Sequence, residues 1–456
     1  MYQGYKDTII AISTPPGIGA ISIVRLSGSL SHHIVKKIFK AKKDPIYPRV
    51  ATFGRVTDNG QPIDDVIVIF YKAPHSYTGE DMVEINCHGN PYIANRIIEL
   101  CTKNGARLAE PGEFTKRAFL NGKLELTQAE AVADLINSLT KISNETSLKI
   151  LEGKLGNKLE NIKKKLIDLI SLIEIELDFQ EENIETISRK ELLKKISETK
   201  REIERLTESY EYGKIAQHGI TVAIVGPPNS GKSTLLNSFL KKERAITSPI
   251  PGTTRDYIEE SISIKGYLLK LIDTAGIRQT HDDIEKAGIE QSYKIANSSD
   301  TVLFVVDITN PGDIRFAIEE KNIKIDNVIF VLNKTDKVKK DKICDIEKFF
   351  NGKTYALISA KTGKGVHELG VKIIESIETK KKPQADIIIT NQRHYKELKN
   401  ARKSLKSALR LIKDNMPAEL ISSELRFCLE HIDRITGKTT SDDILNNIFS
   451  KFCIGK

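Results

Sequence analysis

Gly226-Pro227-Pro228-Asn229-Ser230-Gly231-Lys232-Ser233 is the stretch on which the reading of this chain turns. An apolar run, Ile220-Thr-Val-Ala-Ile-Val225, precedes it, and Leu235-Leu236-Asn237-Ser238-Phe239-Leu240 follows. Strand, glycine-rich turn and helix is the context that makes a GxxxxGK[ST] pattern a phosphate cradle. Gly226 and Gly231 let the backbone wrap closely, so that successive N–H groups of Asn229 to Thr234 point at phosphate oxygens. The helix N-terminus adds a favourable dipole. Lys232 is expected to reach the β- and γ-phosphates, and the Ser233 hydroxyl to hold Mg²⁺.

Working outward, residues 218–380 alternate apolar strands with helices, the pattern of a mostly parallel sheet covered on both faces. The strands are expected at 220–225, 268–272, 301–306, 327–332 and 354–358. Ligand loops should follow their carboxyl ends, and the motifs fall there. Asp273-Thr274-Ala275-Gly276 offers a carboxylate for Mg²⁺ through water and an amide to sense the γ-phosphate. Asn333-Lys334-Thr335-Asp336 offers a carboxylate that guanine N1 and N2 can satisfy and adenine cannot, worth roughly 10⁴-fold in discrimination. Ser359-Ala360-Lys361 completes the base pocket. Pro251-Gly252-Thr253-Thr254-Arg255-Asp256 lies where a switch loop belongs, with Thr254 the candidate second protein ligand for Mg²⁺. The order of motifs selects GTP over ATP. The position after Asp-x-x-Gly, where many GTPases orient water with Gln or His, is Ile277, which cannot. Arg278, Asp282, Asp283 and Glu285 are the polar candidates nearby, and spacing does not choose among them.

At 456 residues the chain has room for two or three domains. Its net charge of +9 and pI near 9.0 permit a polyanionic partner without demanding one. No apolar run suggests a membrane span, and Met1-Tyr-Gln-Gly-Tyr-Lys-Asp7 lacks a secretory pattern, so cytoplasmic residence is expected. Cys87, Cys101, Cys344, Cys428 and Cys453 are scattered without CxxC spacing, which argues against a disulfide framework and a zinc site.

Residues 1–120 mix β-rich runs (Thr8–Ser13, Ala20–Arg25, Asp65–Tyr71, Met82–Asn86) with turns and a helix over Pro91–Lys103, predicting a compact α+β domain. Arg25 and Glu84 lie inside strands, and Lys123 follows Asn121-Gly122. From spacing, such charges favour a solvated face. The competing reading is a polar pocket for a carboxylated, amide-rich small molecule. Residues 121–217 and 381–456 read as helices. Thr127 is the expected N-cap of the first, with Glu130 completing a capping box. Apolar residues recur helically from Leu151 to Leu177, then over Ser188–Tyr210. The last segment reads as helices over Gln392–Lys413, Ala418–Ile435 and Asp442–Phe452. Too short for a core alone, it is expected to pack with 121–217 as one discontinuous helical domain interrupted by the GTPase domain.

With these motifs in hand, the full length resembles the MnmE (TrmE) family of tRNA-modification GTPases. The specific residues lie outside the nucleotide motifs: Thr14-Pro-Pro-Gly-Ile-Gly-Ala-Ile-Ser-Ile-Val-Arg-Leu-Ser-Gly28, Tyr77-Thr-Gly-Glu-Asp81, Pro111-Gly-Glu-Phe-Thr-Lys-Arg-Ala-Phe-Leu-Asn-Gly-Lys123 and Phe452-Cys-Ile-Gly-Lys456. The resemblance implies an N-terminal domain that binds a tetrahydrofolate derivative (5,10-methylene or 5-formyl) and mediates homodimerisation. Arg25, Glu84, Lys123 and Lys456 become its folate contacts, against the solvated-face reading. Cys453 matches a functionally important cysteine, and Glu285 the glutamate that orients the attacking water. Asn229 matches the asparagine that coordinates K⁺, with Ser248, Ile250 and Thr253 completing the ion site. Ser248 stands where the family usually has Thr, and Pro249 and Pro251 flank Ile250. Thus the resemblance extends the GTP-binding set through Ser248–Thr254. It further implies a complex with the flavoprotein MnmG (GidA), which carries FAD and uses NADH, acting on C5 of the wobble uridine of tRNA. An Era-like ribosome-assembly GTPase is the alternative, and a folate enzyme with a regulatory GTPase domain a third. The Thr14–Gly28 motif and the terminal Cys-Ile-Gly-Lys count against the second.

Overall fold

A computed structural model of the chain describes residues 7–43, 45–178, 188–242, 244–245, 259–273, 292–319, 323, 327–381 and 386–456. Two compact units emerge, each discontinuous in sequence: Met1–Ala133 with Ile150–Ile187 and Met416–Lys456, and Asp134–Lys149 with Ser188–Asn415.

The first unit holds a seven-stranded sheet of β1 (Thr8–Ile12), β2 (Ile21–Ser27), β3 (Phe39–Ala41), β4 (Thr52–Asp58), β5 (Gln61–Tyr71), β6 (Met82–His88) and β7 (Ala106–Leu108). Their order is β3-β4-β5-β6-β2-β1-β7, and only β1 and β7 pair parallel. Alternation along β2 and β6 sends Val24, Leu26, Val83 and Ile85 into the core with Ile34 and Ile97 of helices Ser31–Ile38 and Pro91–Lys103. Arg25 and Glu84 occupy the opposite face, as period-two geometry requires. The β4–β5 hairpin, absent from the sequence reading, turns on Asn59 (φ 47°) and Gly60 (φ 88°) between paired Asp58 and Gln61. Asn-Gly is a strong short-range hairpin signal.

The second unit holds β8 (Ile220–Val225), β9 (Arg244–Ala245), β10 (Glu259–Ile264), β11 (Tyr267–Asp273), β12 (Thr301–Asp307), β13 (Val328–Asn333) and β14 (Tyr355–Leu357), ordered β14-β13-β12-β8-β11-β10-β9. From β14 to β11 the pairing is parallel, with β8 at the centre between β12 and β11. Five strands match the sequence reading, and β9 and β10 add an antiparallel edge. Beneath the sheet, the Tyr212 and Tyr267 hydroxyls share a hydrogen bond (2.7 Å), and the Tyr267 hydroxyl also donates to Glu378 (2.7 Å). This ties helix Tyr210–His218, which feeds β8, to helix Val366–Lys381, which leaves the sheet.

Helices before and after the sheet pair within each unit. Lys154–Asp178 packs on Ala418–Thr436 in the first, and Arg189–Glu208 on Gln392–Lys413 in the second. Several boundaries differ from expectation, and the last helix covers Asp442–Phe449, three residues short of Phe452. Leu151 ends helix Lys141–Leu151, and Gly153 (φ 81°) separates it from the next. The Ser188–Tyr210 run breaks at Ser209 into Arg189–Glu208 and Tyr210–His218. Thr127 is not the N-cap: helix Leu126–Ile136 starts two residues earlier than that cap implies, and the Gln128 side chain accepts from the Glu125 amide at 2.9 Å. The reach-back contact expected of Glu130 is thus made by Gln128, two residues earlier, and the buried Thr127 hydroxyl has no hydrogen-bond partner. Among the described residues, no helix is long and apolar enough to cross a membrane.

Candidate functional site

The carboxyl ends of the parallel strands bring the nucleotide motifs together. After β8, Gly226 (φ 142°) lies so close to β12 that a Cβ would stand 2.3 Å from the Val305 carbonyl oxygen. Gly231 (φ 101°) is equally confined, 2.3 Å from Asn333 Nδ2. Only glycine fits at either place. Asn229 between them is left-handed (φ 60°), and helix Lys232–Lys242 begins directly after the loop. Lys232 Nζ donates to the carbonyls of Gly226 (2.9 Å) and Pro227 (2.8 Å), arching over the loop it is expected to serve.

Ser233 Oγ donates to Asp273 Oδ2 at 3.0 Å, joining the phosphate loop to the end of β11. A hydroxyl and a carboxylate this close form a hard-oxygen donor pair of the kind Mg²⁺ selects. Asp273 is buried.

The base loop is built around Asn333, which is 2% exposed. Its Nδ2 donates to the Ser230 carbonyl (2.8 Å), and its Oδ1 accepts from the amides of Lys334 (2.8 Å) and Ala360 (3.0 Å). One side chain thereby ties three loops. Lys334, left-handed at φ 69°, donates to the Asn229 carbonyl (2.9 Å) and pairs with Asp307. Asp336 accepts from the Ser359 hydroxyl, which holds its carboxyl below the ordinary value. Lys361 lies exposed beside this loop.

Asp307, at the end of β12, was not singled out from sequence. Burial works against its carboxylate, but hydrogen bonds from Lys334 and Thr309 prevail and lower its pKa. Its signal was positional: a carboxylate ending a parallel strand at the ligand edge of the sheet. The expectations for Ser248, Pro249, Ile250, Pro251, Gly252, Thr253, Thr254, Thr274, Ala275, Gly276 and Glu285 lie outside the described residues.

A second cluster forms in the first unit. Arg25 and Glu84 are register partners across β2 and β6, with Arg25 Nε and Nη2 donating to Glu84 Oε1 at 3.0 and 2.7 Å. Their side chains are 15% and 16% exposed, so the solvated-face reading is corrected. The residues alternate out of the main core, but loop and helix cover that face. Tyr71 donates to Glu84 Oε2 (3.1 Å), and the Arg25 guanidinium lies 5.5 Å from the Tyr77 ring and 5.8 Å from Phe114. Lys123 is exposed, its stem packed on Gly79.

Residues 453–456 close this cluster. The Phe114 amide donates to the Lys456 backbone oxygen (3.1 Å), and the Ser13 hydroxyl to the Gly455 carbonyl (3.1 Å). Burial, then the Arg25 charge, pushes the Lys456 amine below its ordinary value, while Cys453 and Glu84 act the other way. The structure thus gathers Arg25, Glu84 and Lys456, and leaves Cys453 exposed next to them in the chain. A half-buried carboxylate, a guanidinium and aromatic faces suit a flat, amide-rich ring, so the residues fit a pterin.

Behind this cluster lies a residue the sequence reading passed over. Arg117 is fully buried and pairs with Asp7 (2.9 Å), Glu80 (3.2 Å) and Glu113 (2.9 Å). It anchors helix Glu113–Leu120, which carries Phe114. Its position within a helix gave no sign of burial.

Comparison with known proteins agrees across the chain. A family model for the "GTP-binding protein TrmE N-terminus" matches residues 8–123, and one for the "MnmE helical domain" matches residues 126–453. The tRNA modification GTPase MnmE of Cytophaga hutchinsonii is 40% identical, covering 99% of this chain and 98% of that protein. Those of Thermotoga maritima and Aquifex aeolicus are each 42% identical, covering 99% of this chain and 100% of theirs. Among solved structures, the G domain of the T. maritima FeoB iron transporter is 28% identical and covers 34% of this chain and 97% of its own, at a TM-score of 0.27. With two family models meeting near residue 125 and full-length identity of about 40%, the chain belongs to the MnmE (TrmE) family of tRNA modification GTPases.

Proposed function

We propose that this protein hydrolyses GTP to drive modification of C5 of the wobble uridine of tRNA, adding a carboxymethylaminomethyl or aminomethyl group with a one-carbon unit from a tetrahydrofolate derivative. The observation that carries the reading is the pairing of two sites in one chain. One is a guanine-type nucleotide site with Ser233 on Asp273. The other is the Arg25–Glu84 cluster sealed by residues 453–456. A ribosome-assembly GTPase has no use for the second.

In this reading Asn229 to Thr234, Ser248 to Thr254, Asp273 to Gly276, Asn333, Lys334, Asp336 and Ser359 to Lys361 bind GTP. Ser233 and Thr254 would hold Mg²⁺, which neutralises phosphate charge. Asn229, Ser248, Ile250 and Thr253 would hold K⁺, where other systems insert an arginine finger. Glu285 orients the attacking water, replacing the side chain that Ile277 cannot supply. Arg25, Glu84, Lys123 and Lys456 hold the folate, and Cys453 acts in the transfer chemistry beside it. The protein works as a cytoplasmic homodimer, with an FAD-bearing MnmG (GidA) partner in a heterotetramer-type complex. Its domains divide at 1–120, 121–217, 218–380 and 381–456, the helical domain being discontinuous.

Nucleoside mass spectrometry of bulk tRNA from cells with and without the gene tests the proposal. Selective loss of the C5-modified wobble uridine is expected. An unchanged profile overturns the reading and favours the ribosome-assembly alternative.

A further inference from the structure

Helix Gln392–Lys413 buries Leu398, Ala401, Leu405, Ala408 and Ile412 on one side. The opposite side presents Lys396, Lys399, Lys403, Lys406, Arg410 and Lys413, every one exposed. Their spacing alternates three and four residues, so they form one continuous stripe. At 1.5 Å per residue it runs about 25 Å. The neighbouring helix Arg189–Glu208 has the same amphipathic form, yet its outer face mixes signs and pairs them. Lys195 meets Glu191 at 3.2 Å, and Lys200 meets Glu204 at 2.9 Å. On the stripe only Arg410 has a carboxylate partner among the described residues, Asp414 at 3.4 Å.

Like charges at these spacings repel by about 0.2–0.5 kcal/mol per pair. A face that needed only solvation would mix signs, as the adjacent helix does. A membrane surface is a poor occupant, because the apolar side that would enter lipid is already buried in the helix pair. An unbroken row of cations instead complements a linear row of phosphates.

We infer that the stripe Lys396–Lys399–Lys403–Lys406–Arg410–Lys413 is a docking face for the phosphodiester backbone of tRNA. It positions the substrate without reading its sequence. The inference rests on the tRNA reading above and assigns that substrate a surface.

The test is fluorescence anisotropy of labelled bulk tRNA with the full-length protein over a salt series. The variant is K399Q/K403Q/K406Q/R410Q, with K399R/K403R/K406R as the charge-preserving control. Each phosphate contact contributes about 0.7–0.9 to the slope of log affinity against log salt. The neutralised variant should therefore bind more weakly, with a slope shallower by about 3. The arginine control should match wild type, and melting temperatures should agree across all three. A neutralised variant that binds tRNA like wild type overturns the stripe; a normal wobble-uridine profile alongside it would leave the tRNA reading standing. Wild-type protein that binds phosphatidylglycerol vesicles but not tRNA also overturns it.

Discussion

Asn333 Nδ2 donates to the Ser230 carbonyl at 2.8 Å, so the base loop and the phosphate loop are held by one buried amide. Asn333→Ala would orphan that carbonyl and two amides, at a cost of about 1–3 kcal/mol. The expected result is a lower melting temperature and nucleotide affinity weakened by about tenfold or more. Titration with a fluorescent guanine nucleotide and a thermal melt measure both. Unchanged affinity would show that the loops hold themselves.

Asp336 keeps its carboxylate through the Ser359 hydroxyl. Asp336→Asn preserves that contact but replaces the acceptor proposed for guanine with a donor. Affinity for GTP should fall by orders of magnitude, up to about 10⁴-fold, and affinity for the xanthine nucleotide should rise. Competition binding with the two nucleotides decides this, and an unaltered preference would place the guanine contact elsewhere.

Arg117 stands at the centre of the acidic residues Asp7, Glu80 and Glu113. Burial alone would raise the carboxyls of Asp7 and Glu113. Hydrogen bonds from Arg107, with further help from Arg117, instead hold both below their ordinary values of 3.8 and 4.5. A carboxyl lowered by folding adds stability that is complete above its ordinary value and is lost as pH falls through the folded value. Arg117→Met should cost about 3–5 kcal/mol near neutrality. Its deficit should shrink as pH drops below 4.5 and the carboxyls protonate. Thermal melts from pH 3 to 8 would expose a constant deficit, which would contradict the electrostatic account.

Two kinetic expectations concern the hydrolysis step. If Asn229 and its neighbours hold K⁺, turnover is faster in KCl than in NaCl at equal ionic strength. Glu285→Ala should abolish turnover while leaving GTP affinity largely intact. Equal rates in the two salts would remove the ion site from the mechanism, and retained turnover would disqualify Glu285.

Long periodic segments were the most legible. The helix Gln392–Lys413 was placed to the residue because its apolar face continues unbroken against Arg189–Glu208. The nucleotide loops were legible because each ends an apolar strand. Short edge strands were not: β9 is two residues long and β3 three, too short for any period to register. The hairpin turn at Asn59-Gly60 could have been found from its dipeptide. Burial of Arg117 could not, since two carboxylates distant in sequence, Asp7 and Glu80, join Glu113 of its own helix to create it. Arg25 and Glu84 show the limit of spacing, because alternation says which face a strand residue takes and not what covers that face.

The hydroxyl chain Tyr212–Tyr267–Glu378 has a consequence for how such a protein can be assembled. It brings the helix leading into the GTPase sheet and the helix leading out of it to a common point. Chain ends that meet in space can be joined by a short link at small cost in loop entropy. Because Tyr267 lies on β11, the sheet itself supplies the middle link, so the inserted domain holds its own two ends together and can be carried as a cassette.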